Sequence, residues 1–390
     1  MPSPKFGRTL LFGIIGVVGP LVVLEVVLRT THLFGARLSW SRPDPVLAYR
    51  YTPHRSYWYQ KENDHPVTGV INGFGWRDRE RTLEKPAGTV RVAVLGDSAV
   101  DGFHVELDST FVALTERQLG REGHDVEVLN FGRSSMTQTE QLIILETEVL
   151  RFSPDVVALF FMPANDIEDV RRQTTTNTLR AFFVPSESGE LTLDTSFTSK
   201  RGFKVRSAVN PLKEYSALVS LLIERYNHLR LARRMEQRAQ RTSASSVGGT
   251  LSLCTANPRP AFFESFELNK LLLARIAEVC RTAGVRFLLV CNDWAHTPGQ
   301  IDRYRAIDPT FDPGVIEASL RAHADSLDID FLGLQEVFRT TYELDGVFRH
   351  WDHWNYDGHR LVAENFCAKL ESIFADAGGA SAGAGFPAAR

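Results

Sequence analysis

Cysteine is scarce: Cys254, Cys280, Cys291 and Cys367 are the only four in 390 residues, and no two form a Cys-x-x-Cys pair. That excludes the common zinc-site spacings, and the residues leave open free core thiols or one disulfide. Charge of one sign is missing too. The formal net charge is −3, without the basic excess of nucleic-acid binders, so no nucleic-acid partner is expected. No internal repeat is visible, which excludes a solenoid or propeller. Apolar runs of membrane-spanning length are absent apart from one at the N-terminus. With 43% hydrophobic and 23% charged residues, the chain is globular and long enough for one large domain or two ordinary ones.

The one long apolar run covers residues 10–28, preceded by Lys5 and Arg8 and interrupted only by Glu25. It approaches the ~20 residues that span a bilayer. A cleaved signal peptide is the rival, but such peptides end in small residues, whereas Glu25, Arg29, Thr30, Thr31 and His32 stand here. An uncleaved single-pass anchor is expected, with Glu25 reaching the interface or pairing with Arg29. Arg29, Arg37 and Arg42 follow it, so flanking charge only weakly orients the helix. The bulk of the chain is expected outside the cytoplasm.

Residues 40–86 are rich in Tyr, Trp, Arg, Pro and Asn without helical periodicity, and are expected as loops and short strands packed on a domain. A strand–helix rhythm follows. Strands are expected at 90–95, 126–130, 155–161, 285–290 and 329–332, and helices near 110–119, 138–150, 267–282, 315–324 and 359–374. Short Val-, Ile- and Phe-rich runs between amphipathic helices imply a parallel sheet covered on both faces. Residues 170–263 interrupt the rhythm. Their first half is polar and turn-rich, 215–241 is expected as one long helix with a basic later part, and 243–250 as a flexible break. That basic face suits solvent, or contact with anionic lipid or an acidic glycan. The expected division is 1–38 anchor and linker, 39–88 irregular segment, 89–376 α/β domain with its 170–263 insert, and 377–390 disordered tail.

Chemistry concentrates where strands end. The run Val92-Ala93-Val94-Leu95 stops at Gly96-Asp97-Ser98, placing a hydroxyl at the carboxyl edge of a strand before a helix, where open α/β sheets bind ligands. Asp and Ser are equally ordinary helix caps. A serine needs a base to become nucleophilic, and His353 in His350-Trp351-Asp352-His353-Trp354-Asn355 returns to the same edge before the last helix. Gly132 after the second strand and Asn165 after the third are candidates to stabilise an oxyanion. A turn glycine and an Asx turn are their plain alternatives.

These blocks resemble the SGNH, or GDSL-type, hydrolase family from about residue 90 to 374: Gly96-Asp97-Ser98, Gly132, Asn165 in Ala164-Asn165-Asp166, and His353 followed by Gly358-His359. The resemblance implies a flavodoxin-like three-layer α/β/α sandwich with a central parallel sheet of about five strands. It implies ester hydrolysis with Ser98 as nucleophile, His353 as base, and Ser98 N–H, Gly132 N–H and the Asn165 side chain as the oxyanion hole. Asp44-Pro45, residues 72–78 and the N-terminal run resemble a membrane-anchored bacterial branch. No metal or organic cofactor is implied. The family's acid stands three, in some relatives two, residues before the histidine; here those positions are His350 and Trp351. Asp352 is the nearest carboxylate and the expected acid, although adjacent residues of an extended chain point apart. A Ser–His dyad aided by a backbone carbonyl, or an acid from elsewhere such as Asp345, are the alternatives. Ala164 also stands where glycine is commoner. The expected substrate is an O-acetyl ester of a carbohydrate, with an O-acetyltransferase and a degenerate glycan-binding or assembly protein as alternatives. Oligomeric state is not legible.

Overall fold

The computed structural model describes residues 4–186, 190–241, 247–293 and 298–380. Helix α1 (Pro4–Thr31) leads into two antiparallel hairpins, β1 (Ser41–Asp44) with β2 (Ala48–Tyr51) and β3 (Ser56–Tyr59) with β4 (Val67–Val70). The core then alternates β5 (Val90–Gly96), α2 (Ser98–Asp101), α3 (Phe111–Arg121), β6 (Val126–Gly132), α4 (Gln138–Thr147), β7 (Val156–Phe161) and α5 (Pro163–Asp169). A small hairpin, β8 (Phe182–Pro185) with β9 (Leu191–Asp194), precedes α6 (Arg201–Tyr215), α7 (Ala217–Arg241) and α8 (Pro260–Thr282). The chain closes with β10 (Arg286–Cys291), α9 (Pro298–Ile307), α10 (Val315–Leu327), β11 (Asp330–Gly333), α11 (Gln335–Asp345) and α12 (Tyr356–Ala380).

Five parallel strands form the central sheet in the order β11-β10-β7-β5-β6. The chain steps from β5 outward to β6, then returns to the other side of β5 as β7. The switch point of the sheet therefore lies between β5 and β7, where open α/β sheets bind ligands. Strand alternation divides the core. Ala93, Leu95, Leu129, Phe131, Leu159 and Phe161 face one side with residues of α4, α8 and α10. Val92, Val94, Val128, Ala158, Phe160 and Val290 face the other with residues of α3 and α12. Burial on both faces explains why these strands read as unbroken apolar runs.

The insert departs from expectation. Where the sequence suggests turns to residue 209 and one helix from 215, the chain forms the β8–β9 hairpin and α6, and Ser216 breaks the helix before α7. Glu25 explains the break: its carboxylate accepts from Ser216 Oγ (2.9 Å), Ala217 N–H (2.7 Å) and Leu218 N–H (3.0 Å), capping α7 from the end of α1. Arg29 binds the same carboxylate and the Tyr215 carbonyl. Among the described residues, no helix is long and apolar enough to cross a membrane. Helix α12 continues to Ala380, into the stretch expected as tail; the expectations for 381–390 and 242–246 lie outside the described residues. All four cysteines are buried free thiols.

Candidate active site

Strand β5 ends at Gly96, and its neighbours require glycine: a Cβ there would lie 2.2 Å from Val100 Cγ2. Asp97 then caps α2, accepting from the Ala99 N–H (3.0 Å) with one oxygen and from Asn165 Nδ2 (2.8 Å) with the other. Burial pushes the Asp97 carboxyl up. The middle residue of Gly-Asp-Ser is therefore a strut that ties the loop after β5 to the one after β7. Ser98, the first residue of α2, stands partly exposed beside the switch point.

The loop before α12 brings His353 to this edge. Ser98 Oγ and His353 Nε2 are 2.8 Å apart. On the far side of the ring, Nδ1 lies 2.9 and 3.0 Å from the two carboxylate oxygens of Glu62, which also accepts the His353 backbone N–H at 2.9 Å. Glu62 comes from the β3–β4 turn, 291 residues upstream. Its side chain is 4% exposed. Burial opposes its charge, but hydrogen bonds and attraction from His353 outweigh that and hold the carboxyl below its ordinary value. Burial likewise disfavours the imidazolium of His353, yet Glu62 with Asp97 and Asp101 raises its pKa above the ordinary one.

Asp352 does not touch the imidazole. A tight turn joins His350 to Trp354, with the Trp351 N–H on the His353 carbonyl at 2.7 Å, and throws Asp352 outward. Its side chain is 74% exposed and meets Lys61 Nζ at 3.6 Å. Asp345 is held by Arg349 in a two-point ion pair. His350, where the family acid would stand, pairs instead with Asp293, which also accepts the Trp354 indole N–H at 3.0 Å. The β3–β4 turn is strapped to the loop by Asn63 Nδ2 donating to Tyr356 Oη (2.8 Å), which donates to Glu106 (2.6 Å).

Gly132 is placed by packing. It pairs with Gly96 across the sheet, and its N–H is spent on Asn130 Oδ1 at 2.8 Å. A Cβ there would lie 2.5 Å from the Asp101 backbone nitrogen. Three residues on, Ser135 is exposed and left-handed at φ +60°, a strained region for a side chain. The loop is over-determined around it: Ser134 Oγ donates to Asp101 (2.7 Å), Tyr49 Oη to the Ser134 carbonyl, and buried Arg180 to the Ser135 carbonyl (2.6 Å). Asn165 is exposed with one amide hydrogen directed at Asp97, which leaves its second for a ligand.

The GDSL-like Lipase/Acylhydrolase family matches residues 94–361, more than half of the chain. The chain belongs to it. This GDSL hydrolase is a serine hydrolase acting on ester bonds. Among solved structures it is similar to the acetylxylan esterase Axe2 from Geobacillus stearothermophilus, at 14% identity over 72% of this chain and 94% of that one, with a TM-score of 0.39. LAE5, an alpha/beta hydrolase from the metagenome of Lake Arreo, Spain, is 15% identical over 75% and 98%, TM-score 0.39. TesA is 13% identical over 73% and 99%, TM-score 0.39. No curated protein sequence matches the chain.

Among the described residues, one cluster in the GDSL hydrolase has the residue types of a metal site: Glu62, His104 and His353 each bring a ligand atom within 4.8 Å of the others. The donors do not fit a cation. Glu62 and His353 are hydrogen-bonded to each other, and His104 Nε2 lies 2.9 Å from His359 Nε2. Substituting Gly132→Ala is expected to destabilise the fold by about 1–3 kcal/mol, because the new methyl must displace backbone rather than a flexible side chain. Urea unfolding of the two proteins measures it; equal midpoints would show that α2 shifts without cost.

Proposed function

We propose that this GDSL hydrolase is an esterase working through an acyl-Ser98 intermediate, with Ser98 as nucleophile, His353 as general base and Glu62 as the acid that orients it. The hydrogen-bonded line Ser98–His353–Glu62 carries the reading. Glu62 holds the His353 proton on Nδ1, leaving the Nε2 lone pair for Ser98. His353 takes the hydroxyl proton as Oγ bonds to the ester carbonyl carbon, then gives it to the departing alcohol as the C–O bond breaks. Water, deprotonated by His353, releases the acid and regenerates Ser98. The proposed oxyanion donors are the Ser98 N–H, the Ser135 N–H and the second Asn165 amide hydrogen. Ser135 takes the part expected of Gly132, whose N–H is occupied.

A serine-directed fluorophosphonate tests the reading. Intact mass should show one adduct and peptide mapping should place it on Ser98; an unlabelled Ser98 in protein that otherwise turns over p-nitrophenyl acetate would overturn it. The proposed natural substrate is an O-acetyl ester of a carbohydrate outside the cytoplasm, to be measured as acetate release from acetylated oligosaccharides. Acetate moved to an added sugar instead of water would make the enzyme a transferase.

Membrane tethering by α1 is part of the proposal. Phe12, Ile15, Val17, Val18, Val22 and Val23 are exposed apolar side chains on that helix, a surface that lipid would cover. Glu25, the one charge within the run, faces α7 instead. The full chain is expected to stay with membranes through alkaline carbonate extraction; its release would remove the anchor from the proposal.

A further inference from the structure

Behind the base lies a second pair of histidines that the reaction above does not use. His104, from the segment between α2 and α3, is 2% exposed, and His359, in the first turns of α12, is wholly buried. Their Nε2 atoms are 2.9 Å apart. The Phe111 backbone N–H points at His359 Nδ1 from 3.1 Å. The His104 ring lies nearly parallel to that of His353, 16° between planes and 4.8 Å between centroids. It also faces the Trp354 carbonyl, one residue past the base.

The protons in this chain are fixed by one amide. A backbone N–H can only donate, so His359 Nδ1 must carry a lone pair. Neutral His359 then holds its proton on Nε2 and donates it to His104 Nε2, which must be a lone pair in turn. The His104 proton is left on Nδ1, directed to the Trp354 carbonyl. A further proton on either ring would set N–H against N–H in a buried site, at the expense of a hydrogen bond.

We propose that His104 and His359 are positioning residues, a tautomer-locked neutral pair that pins the His353–Trp354 backbone and presents an uncharged ring to His353. This rests on His353 being the base. The base becomes an imidazolium during turnover, and a cationic ring stacked on it would oppose that step and compete for Glu62. The charged groups facing the pair are His353 itself, Arg77 from the segment between β4 and β5, and Glu62 from the β3–β4 turn. Asp97 and Asp101 act on His353. Burial, with the cationic influence of Arg77 and His353, drives His359 down to about 3, and burial with the neighbouring His359, His353 and Arg77 drives His104 well below the ordinary value.

Ring-nitrogen NMR of the full chain carrying 15N-histidine tests the pair directly. A coupling through the hydrogen bond should join two Nε2 nitrogens. One ring should be protonated on Nδ1 and its partner on Nε2, and both should stay neutral from pH 8 to pH 5. Titration of either ring over that range, or the opposite tautomers, would overturn the proposal. Kinetics supply the second arm. In His359→Leu, His104 Nε2 loses its donor and gains a proton as pH falls, so the acid limb of kcat/KM steepens from slope one toward two. In His104→Phe no proton can be gained: the limb stays single, while kcat falls about tenfold with KM within about twofold. Limbs of His359→Leu and unsubstituted enzyme that superpose after scaling would mean a structural role only. Unlabelled Ser98 would strike the esterase reading, whereas labelled Ser98 with titrating His104 would strike this inference alone.

Discussion

Ser98→Ala is expected to lower kcat on p-nitrophenyl acetate by about 10³-fold or more, with KM changed little. The effect is large because, in the proposed mechanism, one oxygen serves twice: it attacks the ester, and its proton is what His353 carries to the leaving alcohol. His353→Ala should fall nearly as far, since a hydroxyl without its base, 2.8 Å away here, is a weak nucleophile. Residues acting as a unit are not additive. The Ser98→Ala, His353→Ala double variant should therefore be no slower than the worse single one. A double loss equal to the product of the single losses would mean that the two side chains act independently, and the acyl-serine reading would fail. Residual rate in all three comes from the oxyanion donors and binding, which these changes leave in place.

The sheet was legible because its signal is local. Val92, Val94, Leu95, Val128 and Phe160 are apolar whichever way they point, since both faces are covered, and each strand was placed to within about two residues of its observed ends. The strand ends pointed to Ser98 and His353, and the structure brings those two side chains together. Asn165 lies after the third strand of the chain's core as its sequence position suggests, and its tie to Asp97 shows only in three dimensions. Helix α6 was missed because Gly202, Asn210 and Pro211 all weigh against a helix, whereas packing of Phe203 on Phe197 favours one. Helix α11 was missed although its apolar residues keep helical spacing; Phe338 is the one of them that is buried. Glu62 had no local signature: Lys61-Glu62-Asn63-Asp64 is an ordinary polar turn. The available hint was negative. The final block lacks the family's acid, and the polar and aromatic stretch at 40–86 and the 170–263 insert were the segments without an assigned task.

Glu62→Gln should cost about 10²–10⁴ in kcat, and Asp352→Asn less than about twofold. The amide is close in size to the carboxylate, so packing is kept while the chemistry inverts. A glutamine N–H directed at His353 Nδ1 makes that nitrogen the acceptor and moves the ring proton to Nε2, where it faces Ser98 and cannot accept from it. The pH dependence gives a second reading of the same change. Because His353 titrates above the ordinary value in the intact site, its neutral, active form is lost as pH falls through that raised pKa. The acid limb of kcat/KM should then lie above ~6.5. Without the Glu62 charge, burial dominates and disfavours the imidazolium, so the residual activity of Glu62→Gln should persist to lower pH. Asp352, exposed beside Lys61, has only a screened surface attraction to lose. Should Asp352→Asn prove the crippled variant and Glu62→Gln retain its rate, the carboxylate next to the base in sequence would be the functional one, reached by a rearrangement of the 350–354 turn.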